Sequence, residues 1–310
     1  MAAKSSPLSS TDGRMFQPAG LGDSTVGALL RGAETRMRAA GADAPRLTAL
    51  VLLESASGLS REHLLANPQA GLTPEVGARF NDCVARRCAR EPLAYILGER
   101  EFYGRPFAVT PATLIPRPET EGLVELALGY LQQLSRLMDP ALALDVGTGS
   151  GAIAVTLLAE FPRLVVTATD IESSALDVAQ ANAKRHGVAS RLRLIVCDLA
   201  SALAGPFNLI VANLPYIPSN ELDGLQPDVR NYEPRIALDG GTDGTHEIIR
   251  LIQCLPRLLA PAGAAFFEIG EGQGPTLEAA VHSVDGSLIP RISRDATGVE
   301  RYLVVRRSAV

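Results

Sequence analysis

The chain has 310 residues, with 29 Lys+Arg against 34 Asp+Glu, a formal net charge of −5, 46% apolar and 20% charged residues. That balance excludes a disordered chain, and the length suggests two domains or one large domain with an appendage. The acidic balance argues against a general nucleic-acid coat protein, which needs a basic face for phosphates. Only Lys4 and Lys184 are lysine. This reads as the coding bias of a GC-rich genome, ahead of selection for the planar fork of arginine at a binding surface. Cys83, Cys88, Cys197 and Cys254 form no Cys-x-x-Cys pair, and the four histidines form no His-x-x-x-His pair. Reduced thiols, no metal and a cytoplasmic location are therefore expected. The apolar run Leu47 to Leu53 is too short to cross a bilayer.

In chain order, residues 1–23 are rich in Ser, Gly and Pro and read as a disordered extension. Residues 24–92 read as a helical domain. Asp23-Ser24-Thr25 caps a first helix carrying Val26, Leu29, Leu30 and Met37 on one face. A second helix runs from about Asp43 to Gly58, and Ser60 starts a short third. Thr73-Pro74-Glu75 starts a fourth, which carries Val76, Phe80 and Val84 and ends before Pro92. No residue set there looks catalytic, so partner recognition is the expected role. Residues 93–118 read as a hairpin linker. Phe102 to Val109 surround a Gly104 turn, and the prolines flanking Arg117 fix an extended segment. The acids after Pro118 start a helix through Leu131.

Residues 119–310 read as a catalytic domain. Apolar runs at 142–146, 164–169, 192–197, 208–212 and 263–269 alternate with helical stretches near 151–160, 173–186 and 245–260. Alternation of this kind implies a mostly parallel sheet with right-handed crossovers. Two strands around Asp295–Gly298 fit an antiparallel hairpin at its edge.

Ligands of such sheets bind beyond the carboxyl ends of the strands. The first strand ends in Asp145-Val146-Gly147-Thr148-Gly149-Ser150-Gly151-Ala152. Taken alone this loop fits a nicotinamide dinucleotide, a methyl donor or a tight structural turn. The later strands favour the methyl donor. Asp170 ends the second strand, where one carboxylate can bind two ribose hydroxyls. Asp198 ends the third, where it can accept from an adenine amino group while Leu199 lies against the ring. Asn213-Leu214-Pro215-Tyr216 follows the fourth. This set is the layout of an S-adenosylmethionine-dependent methyltransferase.

The tetrapeptide resembles the Asn-Pro-Pro-Tyr motif of enzymes that methylate a planar nitrogen. Such a nitrogen is a poor nucleophile because its lone pair is delocalised. Its two N–H groups need acceptors that hold it while it pyramidalises. The Asn213 side-chain oxygen and the Leu214 carbonyl supply them, Pro215 stiffens the loop, and Tyr216 offers an aromatic face. Leu214 stands where the motif most often has its first proline, but the carbonyl survives the change.

From about Ser24 the chain resembles the HemK/PrmC family of protein-glutamine methyltransferases. The matching pieces are Phe102-Tyr103-Gly104 with Phe107, Leu114 to Glu121, Asp145 to Ala152, Asn213 to Ile217, Tyr232 to Arg235 with Ala237-Leu238, Gly241 to Gly244, Phe267 to Gly270, Gln273-Gly274 and Arg301. The Arg117-Pro118-Glu119-Thr120-Glu121 stretch points to the branch acting on peptide chain release factors, not its ribosomal-protein sister. The resemblance implies a small α-helical domain that docks the protein substrate, followed by a seven-stranded, Rossmann-like class I α/β methyltransferase domain.

The reading is methyl transfer from S-adenosylmethionine to the glutamine amide of the Gly-Gly-Gln loop of a release factor. Gly147, Thr148, Gly149, Ser150, Gly151, Asp170, Asp198, Leu199 and Asn213 are expected on the cofactor. Asn213 to Tyr216 are expected to be catalytic and to hold substrate. Arg117 is either a ligand contact or part of a rigid connector. The loop before Tyr232 is either a lid over the glutamine or a surface excursion, with the lid favoured. Glu268 is either paired in the core or facing the pocket. A monomer with no nucleic-acid or membrane partner is expected. The alternatives are methylation of a ribosomal-protein glutamine or of a nucleic-acid adenine amino group, a nicotinamide-dependent oxidoreductase, and a non-catalytic binding protein.

Overall fold

The computed structural model describes residues 16–17, 25–134 and 140–308. The chain divides into two compact units, Met1–Leu97 and Gly98–Val310. Among the described residues no helix is long and apolar enough to cross a membrane.

In the first unit, β1 (Phe16–Gln17) pairs antiparallel with β2 (Gly71–Leu72). Its helices are α1 (Val26–Ala39), α2 (Pro45–Ser57), α3 (Arg61–Ala66), α4 (Pro74–Cys88) and α5 (Leu93–Leu97). Three begin at side chains that satisfy otherwise orphaned amides. Thr25 accepts from the Ala28 amide at 3.3 Å, Ser60 from His63 at 3.3 Å and Thr73 from Val76 at 3.4 Å. Each such cap contributes about 1 kcal/mol. Val26, Met37, Leu52, Leu53 and Phe80 close a core between the helices. Two expectations change here. The first five residues of the expected hairpin linker form α5 instead and group with the helical unit. Most of the expected disordered extension, residues 1–15 and 18–23, lies outside the described residues, while Phe16–Gln17 within it form a strand.

The second unit opens with the hairpin of β3 (Glu99–Phe102) and β4 (Arg105–Ala108). Its two turn residues, Tyr103 and Gly104, both have positive φ (52° and 68°). That backbone matches the right-handed twist of the flanking strands. The hairpin is not a free linker. The buried Asn182 side chain donates to the Ala108 carbonyl at 3.0 Å and accepts from its amide at 2.7 Å.

Then follow α6 (Glu119–Leu134), β5 (Ala141–Val146), α7 (Ala152–Glu160), β6 (Leu164–Asp170), α8 (Ser173–Arg185), β7 (Leu192–Val196) and β8 (Phe207–Ala212). The chain ends with α9 (Pro227–Tyr232), α10 (His246–Leu258), β9 (Leu259–Glu268), α11 (Gly274–Val284), β10 (Leu288–Arg294) and β11 (Glu300–Arg307). One sheet of seven strands has the order β10-β11-β9-β8-β5-β6-β7. Strands β9-β8-β5-β6-β7 are parallel, and β11 runs antiparallel to both β9 and β10. The edge hairpin is thus present. Alternation along β5 sends Ala143 to a core with α6 and α7, and Leu144 to a core with α10 and α11. Both faces are covered, as parallel strands require. The sequence reading missed α9, which starts at Pro227, and α11, which has Pro275 as its second residue; both are short stretches without a long apolar stripe.

Candidate active site

A cavity of about 570 Å³ opens at the carboxyl ends of β5, β6, β7 and β8. Its first wall is the glycine loop after β5. Gly147, Gly149 and Gly151 have φ of 70°, 54° and 78°, a region costly for residues with a Cβ. Gly151 also begins α7, whose first turn bonds back to it from the Val155 amide at 2.8 Å. The Thr148 amide donates to the Thr169 carbonyl at 2.9 Å, and Asn182 donates to the Ser150 carbonyl at 2.8 Å. The loop is thus pinned to β6 and α8 before any ligand arrives.

Asp170 is oriented by two backbone amides. Gly149 donates to one carboxylate oxygen at 2.9 Å and Glu172 to the other at 3.0 Å. Behind the loop, Asp145 is fully buried. Its Oδ2 accepts from Thr148 Oγ1 at 2.7 Å and from the Ala154 amide at 3.2 Å, while Oδ1 has no partner. Burial pushes its pKa up to about 7, against those two hydrogen bonds. Leu199 is held at φ 48° with its carbonyl accepting from Thr169 Oγ1 at 2.7 Å. Ile171 and Ile236 also line the cavity and are each 50% exposed. Large apolar side chains left open on a concave wall suit a flat ring.

Asp198 has a partner that the sequence did not suggest. Arg250 Nη2 lies 2.5 Å from its Oδ2, and Arg250 Nη1 lies 2.6 Å from Glu247 Oε2. All three residues line the cavity.

The second wall is Asn213-Leu214-Pro215, directly after β8. The Asn213 side chain donates through Nδ2 to Thr120 Oγ1 at 3.0 Å. Tyr216 is turned away from this wall. It is not among the lining residues, and its hydroxyl donates to Glu268 Oε1 at 3.2 Å. Burial and the Glu268 charge push the Tyr216 hydroxyl far above the usual tyrosine range. Glu268 is 1% exposed and lies outside the lining, so of the two readings the paired core residue holds. Behind the tetrapeptide, Gln273 Nε2 donates to the Tyr216 carbonyl at 2.9 Å, and its Oε1 accepts from the Gly270 amide at 2.8 Å. A Cβ on Gly244 would collide with that same Tyr216 carbonyl.

Arg117 lines the cavity and pairs with Glu233, Nη2 to Oε1 at 2.5 Å. The other Glu233 oxygen accepts from the Ile115 amide at 3.0 Å. The loop after β8 is therefore clamped to the Pro-Arg-Pro segment, and Pro234 to Ala237 stand in the cavity wall. Arg117 lines the cavity and serves as a connector at once. Of the residues proposed from sequence, all but Gly151 and Tyr216 line the cavity. Thr120, Arg250 and the clamp role of Glu233 were missed. Their partners lie 52 to 116 residues away, beyond any local pattern. No group of residues that could hold a metal ion occurs among those described.

A seven-stranded sheet of this order, with a glycine loop and an acid at successive strand ends, defines a class I methyltransferase of the kind that uses S-adenosylmethionine. In a structural comparison, the chain matches a crystal structure of the hMettl16 catalytic domain in complex with MAT2A 3′UTR hairpin 6. The TM-score is 0.51 at 12% identity, over 78% of this chain and 85% of that one, a likeness of fold alone. Family models match as the PrmC N-terminal domain over residues 28–98 and the methyltransferase small domain over residues 130–224. The release factor glutamine methyltransferase of Nitratidesulfovibrio vulgaris is 42% identical over 94% of this chain and 99% of its own. That of Moorella thermoacetica is 42% identical over 88% and 95%. The chain belongs to the release factor glutamine methyltransferase family.

Proposed function

We infer that this enzyme methylates the side-chain amide of the glutamine in the Gly-Gly-Gln loop of peptide chain release factors. The observation that carries the reading is the Asn213 amide. Its nitrogen is spent on Thr120, which leaves its oxygen as the free acceptor at the cavity beside the Leu214 carbonyl. Two acceptors on consecutive residues of that wall suit the two N–H groups of a primary amide. Relatives named for this reaction, matched over nearly the whole chain, support the substrate.

The residues present fit S-adenosylmethionine. Asp170, pre-oriented by Gly149 and Glu172, would hold ribose hydroxyls; Leu199 and Ile171 would flank the adenine; the glycine loop allows close approach. Bound there, this cofactor supplies an electrophilic methyl on a sulfonium leaving group. The protein's own part is orientation and exclusion of water. Asn213 and Leu214 hold the amide nitrogen, and Pro215 limits movement of the wall. Arg117 and Glu233 keep the loop after β8 closed against the Pro-Arg-Pro segment. A nitrogen alkylated in this way becomes acidic and loses its extra proton to water without a dedicated base. The helical unit docks the body of the release factor, and the enzyme acts as a cytoplasmic monomer without contacting nucleic acid.

The test is incubation with labelled methyl donor and purified release factors, ribosomal proteins and DNA. Label on a release-factor glutamine is the expected result. Label confined to a ribosomal protein or to DNA overturns the substrate.

A further inference from the structure

Past the end of β8 the backbone of the substrate wall is held at few points. Ile217 is tied on both sides: its amide donates to the Leu238 carbonyl at 3.1 Å, and its carbonyl accepts from the Gly240 amide at 2.9 Å. Among the described residues, one hydrogen bond reaches the backbone of residues 214–216, and Gln273 makes it, from Nε2 to the Tyr216 carbonyl at 2.9 Å.

That donor cannot turn away. The Gln273 side chain folds back over its own turn: Oε1 accepts from the Gly270 amide at 2.8 Å, and the Gln273 amide donates to the Gly270 carbonyl at 3.3 Å. With Oε1 committed to an N–H, the side-chain amide has one orientation, and Nε2 must face acceptors. It meets two carbonyls, Tyr216 at 2.9 Å and Asp243 at 3.3 Å, which use both of its N–H groups. Gly244 leaves the room for this contact, since a Cβ there would collide with the Tyr216 oxygen and with Gln273 Nε2. Gln273 is buried and stands outside the cavity lining, so it meets the site only through the backbone it holds.

The Leu214 carbonyl belongs to the peptide bond with Pro215. Proline fixes its own φ and restricts the residue before it, yet the peptide plane can still swing about Leu214 φ and Pro215 ψ. At one end Asn213 is held by its place after β8 and by Thr120. At the other end the Gln273 bond holds the Tyr216 peptide. We propose that Gln273 is a positioning residue for methyl transfer, which fixes the Tyr216 carbonyl and thereby the aim of the Leu214 carbonyl. This rests on the Leu214 carbonyl being an acceptor for the substrate amide.

The test uses the full-length chain with Gln273→Met, which keeps the length of the side chain and removes its hydrogen bonds, and Gln273→Glu above neutral pH, which keeps the acceptor for Gly270 and removes the donor. Both should lower kcat on a release factor by about tenfold or more, with cofactor affinity by calorimetry within about twofold. A kcat within about twofold of wild type in either variant would overturn the inference. So would equal losses of kcat and cofactor affinity, which mark a general loosening of the fold. A second readout needs no substrate. The chain has two Leu-Pro bonds, Leu214-Pro215 and Leu255-Pro256. Labelling with ¹³C-carbonyl leucine and ¹⁵N-proline therefore picks out two coupled carbonyls, and Leu255, within α10, is the internal control. In Gln273→Met the Leu214 resonance should move while Leu255 stays. An unmoved Leu214, or equal movement of both, would overturn the positioning role. If wild type fails to methylate release factors while Leu214 alone moves, the substrate reading falls and the hold of Gln273 on the Leu214 carbonyl stands.

Discussion

The two walls of the cavity are held by different kinds of contact. On the β5–β6 wall, Asp145 bonds residues three and nine positions on, and Asp170 bonds residues 21 positions before it and two after. On the β8 wall, Asn213 reaches back 93 positions to Thr120, Tyr216 reaches 52 to Glu268, and Gln273 reaches 57 to the Tyr216 carbonyl. The first wall is assembled by a strand, a turn and a helix start. The second exists only once β9, α6 and the segment before α11 have packed around it. The wall proposed for the cofactor can thus be preformed by local geometry, while the wall proposed for the substrate depends on the finished tertiary structure.

The sharpest way to separate the walls is to remove the Asn213 amide, one of the two acceptors proposed to hold the substrate nitrogen. Asn213→Ala should cut turnover by about 100-fold or more, the scale found when one preorganised hydrogen-bonding group is deleted from an active site. Cofactor binding should stay measurable by calorimetry, because the first wall does not lean on the Asn213 amide. Turnover at the wild-type rate would remove Asn213 from the reaction.

Asp170→Ala tests the other wall. The carboxylate is lost from two backbone amides and from the ribose hydroxyls it is proposed to hold. Cofactor affinity should fall by about 10- to 100-fold, as expected for losing one or two charge-assisted hydrogen bonds. At saturating cofactor, kcat should stay within about threefold. Unchanged affinity would contradict the ribose assignment, and a large loss of kcat would mean that the walls are coupled.

The same contrast explains what could be read from sequence. The glycine loop, Asp170 and Leu199 were legible because turn chemistry and strand-end position are local signals. Asn213 to Pro215 were legible as cavity wall because a proline-containing turn directly after a strand is also a local signal. Tyr216 follows that turn, but its hydroxyl bonds Glu268, a buried acid 52 residues away in sequence. Asp198 was read as a free acceptor, yet Arg250, a turn into α10, takes its carboxylate. The hairpin was legible from Tyr103-Gly104, whereas its attachment to α8 was not, because Asn182 carries no pattern of its own among the polar residues of that helix.

Asp145 provides a pH test of the first wall. Its carboxyl has a pKa of about 7 in the fold, against 3.8 in the unfolded chain. The folded protein therefore binds the proton more tightly, and stability falls as pH rises between those two values. Without cofactor, we expect Tm to fall by about 3–5 °C more in wild type than in Asp145→Asn between pH 4.5 and 8. Calorimetry at several pH values reads the difference directly. Parallel curves for the two proteins would show that the Asp145 carboxyl binds its proton no more tightly in the fold than in the unfolded chain.

The smallest expected effect lies at Arg250, which pairs with Asp198 on the cavity wall. Its ion pairs with Asp198 and Glu247 are partly exposed, and pairs of that kind add about 0–1 kcal/mol to stability. Arg250→Ala should therefore leave Tm almost unchanged. Its effect on binding has a defined sign. The substitution removes a cation from the cavity wall and frees the Asp198 carboxylate for an amino donor. Both changes favour a ligand that carries a sulfonium charge. Affinity for S-adenosylmethionine should rise by about 2- to 5-fold, a change of under 1 kcal/mol. S-adenosylhomocysteine lacks the sulfonium charge but keeps the adenine amino group, so it should gain less. Equal gains for both would trace the effect to Asp198 and the adenine end alone. A loss for both would mean that Arg250 holds Asp198 in its working position, and that this part of the first wall, like the second, is set by a tertiary contact.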